Sequence, residues 1–139
     1  PRRDKVVMVR QYRFSIDDYV YEFPAGLVDA GETHAEAGAR ELKEETGLDF
    51  TSVKANEMFS KPLFTTIGMT DESCATVYGY ASGNISKAGL EDNEDLEVVL
   101  ADRKEVRRIL QEEHVSINCG YLLMHFLCHT AEDPFYFLR

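Results

Sequence analysis

The 139-residue chain contains no apolar run near the ~18 residues that read as a membrane-spanning helix, no secretory signal pattern and no lipidation motif. Its cysteines are few. Cys74, Cys119 and Cys128 are odd in number and form no C-x-x-C pair, the usage expected of free thiols in a reducing compartment, so the cytoplasm is the expected location. Cations are in deficit: 15 Lys and Arg stand against 25 Asp and Glu, for a net charge of −10 and a pI near 4.8. That balance argues against a sequence-independent grip on nucleic acid or on an anionic membrane. Repeats, linkers and low-complexity tracts are missing, as are a Ser-His-Asp series and a reactive-cysteine motif. So is an initiator methionine. The chain opens at Pro1 and passes within a few residues into the strand-like KVVMVRQYRF, and a preceding N-terminal segment is expected.

With 44% hydrophobic and 29% charged residues, the composition is that of one globular domain with a single core. Stretches 5–14 and 19–24, rich in Val, Tyr and Phe and separated by the turn-prone SIDD, read as two strands. After the loop AGLVDAGE, Thr33-x-x-Glu36 has the form of a capping box that starts a helix near His34, and Gly47 supplies its stop. Strands are expected over 51–60, 73–80 and 96–100, and helices over 102–112 and 117–130. This mixture suggests an α/β sandwich.

The helix ending at Gly47 breaks local rules. Glu41, Glu44 and Glu45 crowd its last turns, at the end where the helix dipole disfavours negative charge, and Glu41 and Glu45 repel at i, i+4 spacing. A solvated acidic face would explain acids on composition alone. Against it, the three acids share one side of the helix, beside a glycine loop whose carbonyls could join them. Hard oxygens converging at one spot are what Mg²⁺ or Mn²⁺ takes, and a bound divalent cation would cancel the repulsion.

Gly26, five residues, Glu32, seven residues, then Arg40-Glu41-Leu42-x-Glu44-Glu45-x-Gly47-Leu48 resembles the Nudix box at every defined position. The seven fixed letters would arise by chance on the order of 10⁻⁹ per starting point at ordinary residue frequencies. The resemblance implies a Nudix-type α/β/α sandwich with a mixed β-sheet and a metal-dependent hydrolysis of a nucleoside diphosphate linked to another moiety. It implies that Glu41, Glu44 and Glu45 hold the metal, that Arg40 orients them by ion pairing, and that Glu32 ties loop to helix, with Gly26 and Gly47 structural. Beyond the box, VRQYRF, YEFPAG, IGMTDES and GLEDNEDLEV are similar to the ADP-ribose pyrophosphatase branch, which NDP-sugar pyrophosphatases share in part. Hydrolysis of ADP-ribose or an ADP-sugar to AMP and a sugar phosphate is the implied activity. Other NDP-sugars, nucleoside triphosphates, or a non-catalytic ADP-ribose sensor are the alternatives; the intact box glutamates count against the sensor.

On the same resemblance the Ala25 carbonyl is a metal ligand. Arg10 and Arg13 are candidate phosphate or ribose contacts, with surface cations on an edge strand as the alternative. Glu72 could hydrogen-bond a ribose hydroxyl or be a simple turn acid. Phe14, Tyr19 and Tyr21 could stack an adenine, though strand packing suits them better. His125 and His129, beside Cys128, have i, i+4 metal spacing, but no fourth ligand accompanies them and they alternate with core positions. Carboxylates that hold metal cannot readily accept a proton, so the base is expected in the acidic loop among Glu91, Asp92 and Glu94. Glu94 matches the second acid of the branch's Glu-x-Glu pair, and which acid is the base stays open. The branch also implies a homodimer.

Overall fold

The computed structural model describes residues 4–139. Two strands, β1 (Val6–Arg13) and β2 (Asp18–Glu22), form an antiparallel hairpin across the SIDD turn, where Asp17 adopts positive φ. On its other side β1 pairs antiparallel with β7 (Leu96–Ala101), giving a sheet of order β2-β1-β7. The parallel component is a bridge from Tyr21 to Val115, flanked by hydrogen bonds from Tyr21 N–H to the His114 carbonyl and from Ser116 N–H to the Tyr21 carbonyl.

Side chains alternate across this sheet. Met8, Tyr21 and Ala101 face one way and pack against Val106 and Ile109 of α3 (Arg103–Glu112) and Cys119 and Leu123 of α4 (Ile117–Leu127). Helix α1 (His34–Thr46) touches β7 and the small pair formed by β3 (Asp49–Ser52) with β6 (Gly79–Ser82). Helices thus lie on both sides of strands, as the α/β/α reading expects. Among the described residues, no helix is long and apolar enough to cross a membrane.

Two strand expectations are corrected. The segment 51–60 is a strand only to Ser52, because the Asn56 side chain accepts the Met58 N–H and caps a helical turn, α2 (Glu57–Ser60). The segment 73–80 is split: β5 (Ser73–Cys74) pairs with β4 (Leu63–Phe64) as a separate hairpin, and only its last residues enter β6. That hairpin and its tip expose Leu63, Phe64, Ile67 and Met69, the last 88% accessible. Helix α4 also stops short, at Leu127, with Cys128 as its C-cap.

Candidate active site

The capping box forms as read. Thr33 Oγ1 accepts the Glu36 N–H at 3.2 Å, and Glu36 accepts the Thr33 N–H at 2.8 Å. At the other end Gly47 takes the left-handed conformation, φ 79°, and its N–H reaches the Lys43 carbonyl. These two devices fix where α1 begins and ends, and so which face it turns to the loop before it.

Arg40 organises that face. Its Nε and Nη2 donate to Glu32 Oε2 and Oε1 at 2.9 and 3.0 Å, and Nη2 also donates to the Leu27 carbonyl at 2.8 Å. Its Nη1 reaches Glu41 Oε1 at 2.9 Å and Glu44 Oε2 at 3.2 Å, while Asp29 lies 3.6 Å from Nε. One guanidinium therefore ties loop to helix and takes one oxygen from each of two box carboxylates, a use of the planar fork that lysine cannot copy. The paired carboxylates hold the guanidinium firmly protonated, and the same contact, with the Asp29 N–H, lowers the Glu32 pKa. Much of the unfavourable charge at the end of α1 is thereby offset, helped by Lys43 Nζ, which donates to the Gly47 carbonyl and to Asp49.

Glu45 is the exception. It is 5% exposed, and its Oε2 has no hydrogen-bond partner among the described residues. Burial, then the nearby Glu41 charge, pushes its pKa up to about 8, against the pull of an Ala25 backbone hydrogen bond and Arg13, with Glu94 adding to the rise. A buried carboxylate without a counter-charge is costly unless protonated or supplied with a cation.

Above these residues lies a cleft of about 510 Å³ lined by Ala25, Gly26, Arg40, Glu41, Glu44 and Glu45, by Gln11 and Arg13 of β1, and by Gly89, Glu91 and Glu94. With Asp29 it gathers six carboxylates against two guanidiniums. Glu91 and Glu94 close a turn on each other: the Glu91 N–H donates to Glu94 Oε2 at 2.9 Å, and the Glu94 N–H to the Glu91 carbonyl at 3.1 Å. Among the described residues no three of these acids already converge as a finished metal cage; Glu41 and Glu44 are turned to Arg40. The donor set is nevertheless all hard oxygen, and the orphaned Glu45 oxygen is an unmet demand for positive charge. These residues fit a divalent cation.

Other sequence candidates lie elsewhere. Arg10 is on the opposite face of β1 from Arg13, stacked on the Tyr19 ring at 3.9 Å and 3.7 Å from Glu97. Asp92 does not line the cleft, and neither does Glu72, whose Oε1 accepts the Thr65 hydroxyl at 3.0 Å. Tyr21 is core, Tyr19 packs edge-on against Tyr12, and Phe14 is 89% exposed. His125 stacks on Phe137, and His129 is buried against Tyr136 with its pKa lowered by desolvation, so the pair serves packing. Five residues of the site are not singled out by the sequence: Gln11, Glu22, Leu27, Asp29 and Gly89. Gln11 could have been found from Arg13 by the period of two. Glu22, which holds Arg13 through both carboxylate oxygens at 2.8 and 3.2 Å, is four residues from a hairpin turn whose register the sequence did not specify. Gly89 sits against the Glu44 backbone through a tertiary approach that has no local signature.

The NUDIX domain family model matches residues 1–119. The chain is 40% identical over 103 residues to a protein of Caenorhabditis elegans described as putative nudix hydrolase 2, covering 70% of this chain and 45% of that protein. It is 34% identical over 95 residues to an ADP-ribose pyrophosphatase of Saccharomyces cerevisiae, covering 68% of this chain and 41% of that one. The chain therefore spans less than half the length of both relatives. Its fold matches the crystal structure of a NUDIX-family hydrolase from Clostridium perfringens with a TM-score of 0.62 at 15% identity, covering 91% of this chain and 89% of the other.

Proposed function

The chain belongs to the Nudix family, and on that footing we propose that it hydrolyses the pyrophosphate bond of ADP-ribose or a related ADP-sugar, releasing AMP and a sugar phosphate. The observation that carries this reading is the cleft itself, in which Arg40 orders Glu41 and Glu44 beside a buried Glu45 oxygen with no partner. The similarity to an ADP-ribose pyrophosphatase supports the substrate class.

A diphosphate carries concentrated negative charge, and a cleft of six carboxylates and two guanidiniums would repel it. A divalent cation, Mg²⁺ or alternatively Mn²⁺, reconciles the two. Glu41, Glu44 and Glu45 would hold it with the Ala25 carbonyl. Such an ion supplies charge neutralisation, polarisation of phosphorus and a lowered pKa for the attacking water. The protein's own residues do the rest. Arg40 holds one oxygen of Glu41 and one of Glu44, which keeps both carboxylates at the cleft and leaves the second oxygen of each for the ion. Arg13, on the cleft wall, binds the diphosphate or ribose; Arg10 and Glu72, away from the cleft as described, would need a substrate reaching past its rim. Glu94 accepts the proton of the nucleophilic water. Glu91 shares its turn and is the next candidate, and Asp92, outside the cleft lining, is third.

The proposal includes a homodimer acting in the cytoplasm. The apolar side chains exposed on the β4–β5 hairpin support a protein–protein contact there. The test is a panel of ADP-ribose, other ADP-sugars, UDP- and GDP-sugars and oxidised nucleoside triphosphates, each incubated with protein and Mg²⁺ and read by chromatography. AMP and ribose 5-phosphate are expected from ADP-ribose. Preferred turnover of UDP- or GDP-sugars, or of triphosphates, would move the substrate, and binding of ADP-ribose with no turnover of anything would make the chain a sensor.

A further inference from the structure

The acidic loop is fastened to the hairpin β1–β2 on the face of the sheet opposite the cleft. Tyr19 Oη donates to Asp95 Oδ2 at 2.6 Å across 76 residues of sequence, and the Tyr12 N–H donates to the Asp95 carbonyl at 3.2 Å. The second bond extends the β1–β7 ladder beyond the Leu96–Gln11 pair, so residues 94–96 follow the period of two. Asp95 accordingly shares a face with Tyr12 and Tyr19, and Glu94 must turn the other way, into the cleft. Arg10 stacks on the Tyr19 ring from the same side at 3.9 Å, which restrains the ring that carries the hydroxyl. From Glu94 the order passes to Glu91 through the two hydrogen bonds that close their turn.

We propose that Tyr19 and Asp95 are positioning residues: their hydrogen bond sets the register of the loop and thereby the direction in which Glu94 and Glu91 are presented to the cleft. Neither touches the cleft. A one-residue slip of the loop would turn Asp95 inward and Glu94 outward, and would break the Tyr19–Asp95 hydrogen bond. The link to turnover rests on the hydrolase reading above; the link to loop order does not.

The experiment uses the full chain with Tyr19→Phe, Asp95→Ala, Asp95→Asn and the Tyr19→Phe/Asp95→Ala double variant. Tyr19→Phe keeps the ring under Arg10 and removes only the hydroxyl, so folding is preserved. Loss of one hydrogen bond of this kind should lower kcat by about 3- to 10-fold with KM within about twofold. The double variant should fall no further than the worse single one, and Asp95→Asn, which keeps an acceptor oxygen, should retain most of the rate. Independently of any substrate, amide hydrogen exchange at Glu91 and Glu94 should quicken by a similar factor in Tyr19→Phe. Parent-like exchange at both amides, or losses that multiply in the double variant, would overturn the clamp. If the parent hydrolyses nothing, the exchange measurement still decides the clamp, and only the hydrolase reading falls.

Discussion

Gly26 faces the Glu41 carboxylate so closely that a Cβ at that position would fall 1.9 Å from both its Cδ and its Oε1. The obstacle is the end of a flexible side chain, which can swing aside, but only by leaving Arg40. Gly26→Ala should therefore cost little stability and much activity. A fall in kcat of about 10²-fold is expected for a displacement on the scale of 1 Å, with Tm within a few degrees of the parent. Steady-state kinetics beside a thermal melt checks this, and parent-like turnover would mean that Glu41 does not need its observed place.

Arg40 should not tolerate its usual conservative exchange. Lysine can satisfy one acceptor at a time, whereas Arg40 serves Glu32, Leu27, Glu41 and Glu44 together. Arg40→Lys is expected to lower the urea midpoint and to lower kcat by at least tenfold. Urea denaturation and kinetics on one preparation read both.

The pH dependence of stability follows from Glu45. Its folded pKa, about 8, lies above the ordinary 4.5, so between those values the folded chain holds a proton that the unfolded chain releases. Stability must then fall as pH rises through that window, by a few kcal/mol at most. In chelator, the urea midpoint should be lower at pH 8 than at pH 5, and Glu45→Gln should flatten the difference. Mg²⁺ should restore stability more at pH 8 than at pH 5, because it binds the ionised carboxylate. A midpoint that rises between pH 5 and pH 8 in chelator would contradict the assignment.

Excess EDTA should abolish turnover, and Glu44→Gln or Glu45→Gln should reduce kcat by orders of magnitude with the fold intact. Removing a general base typically costs about 10²–10⁴ in rate. Of Glu91→Gln, Asp92→Asn and Glu94→Gln, measured separately at saturating Mg²⁺, Glu94→Gln should lose most and Asp92→Asn least. Three variants within about threefold of the parent would place the base outside the loop.

Sedimentation at micromolar concentration should show a dimer, and placing a charge on the exposed hairpin, as in Met69→Glu, should shift it toward monomer. An active monomer of the parent chain would refute this.

The parts legible in the sequence are those whose causes are local. The capping box at Thr33 and Glu36, the stop at Gly47 and the pairing of Arg40 with the box acids depend on residues a few positions apart, and each appears as read. The burial of Glu45 was not legible, because it depends on the chain bringing Ala25 and Arg13 against the end of α1. Arg10 and Arg13 lie three apart on a strand, so alternation sends them to opposite faces and only Arg13 reaches the cleft. Asn56 shows the reverse case, where a short-range cap overrode the strand propensity of its neighbours.

The alternation that separates Glu94 from Asp95 bears on how such loops diverge. Inserting one residue between Asp95 and Leu96 would turn Asp95 into the cleft and Glu94 out of it, whereas a length change in the turn before Glu94 would leave both where they are. Loops that differ by one residue next to that strand can then keep the same chemistry only by moving the acid one place along the chain. Two homologous chains could carry out one reaction with glutamates that occupy different columns of an alignment, and a column of unmatched acids would be the trace of a preserved geometry.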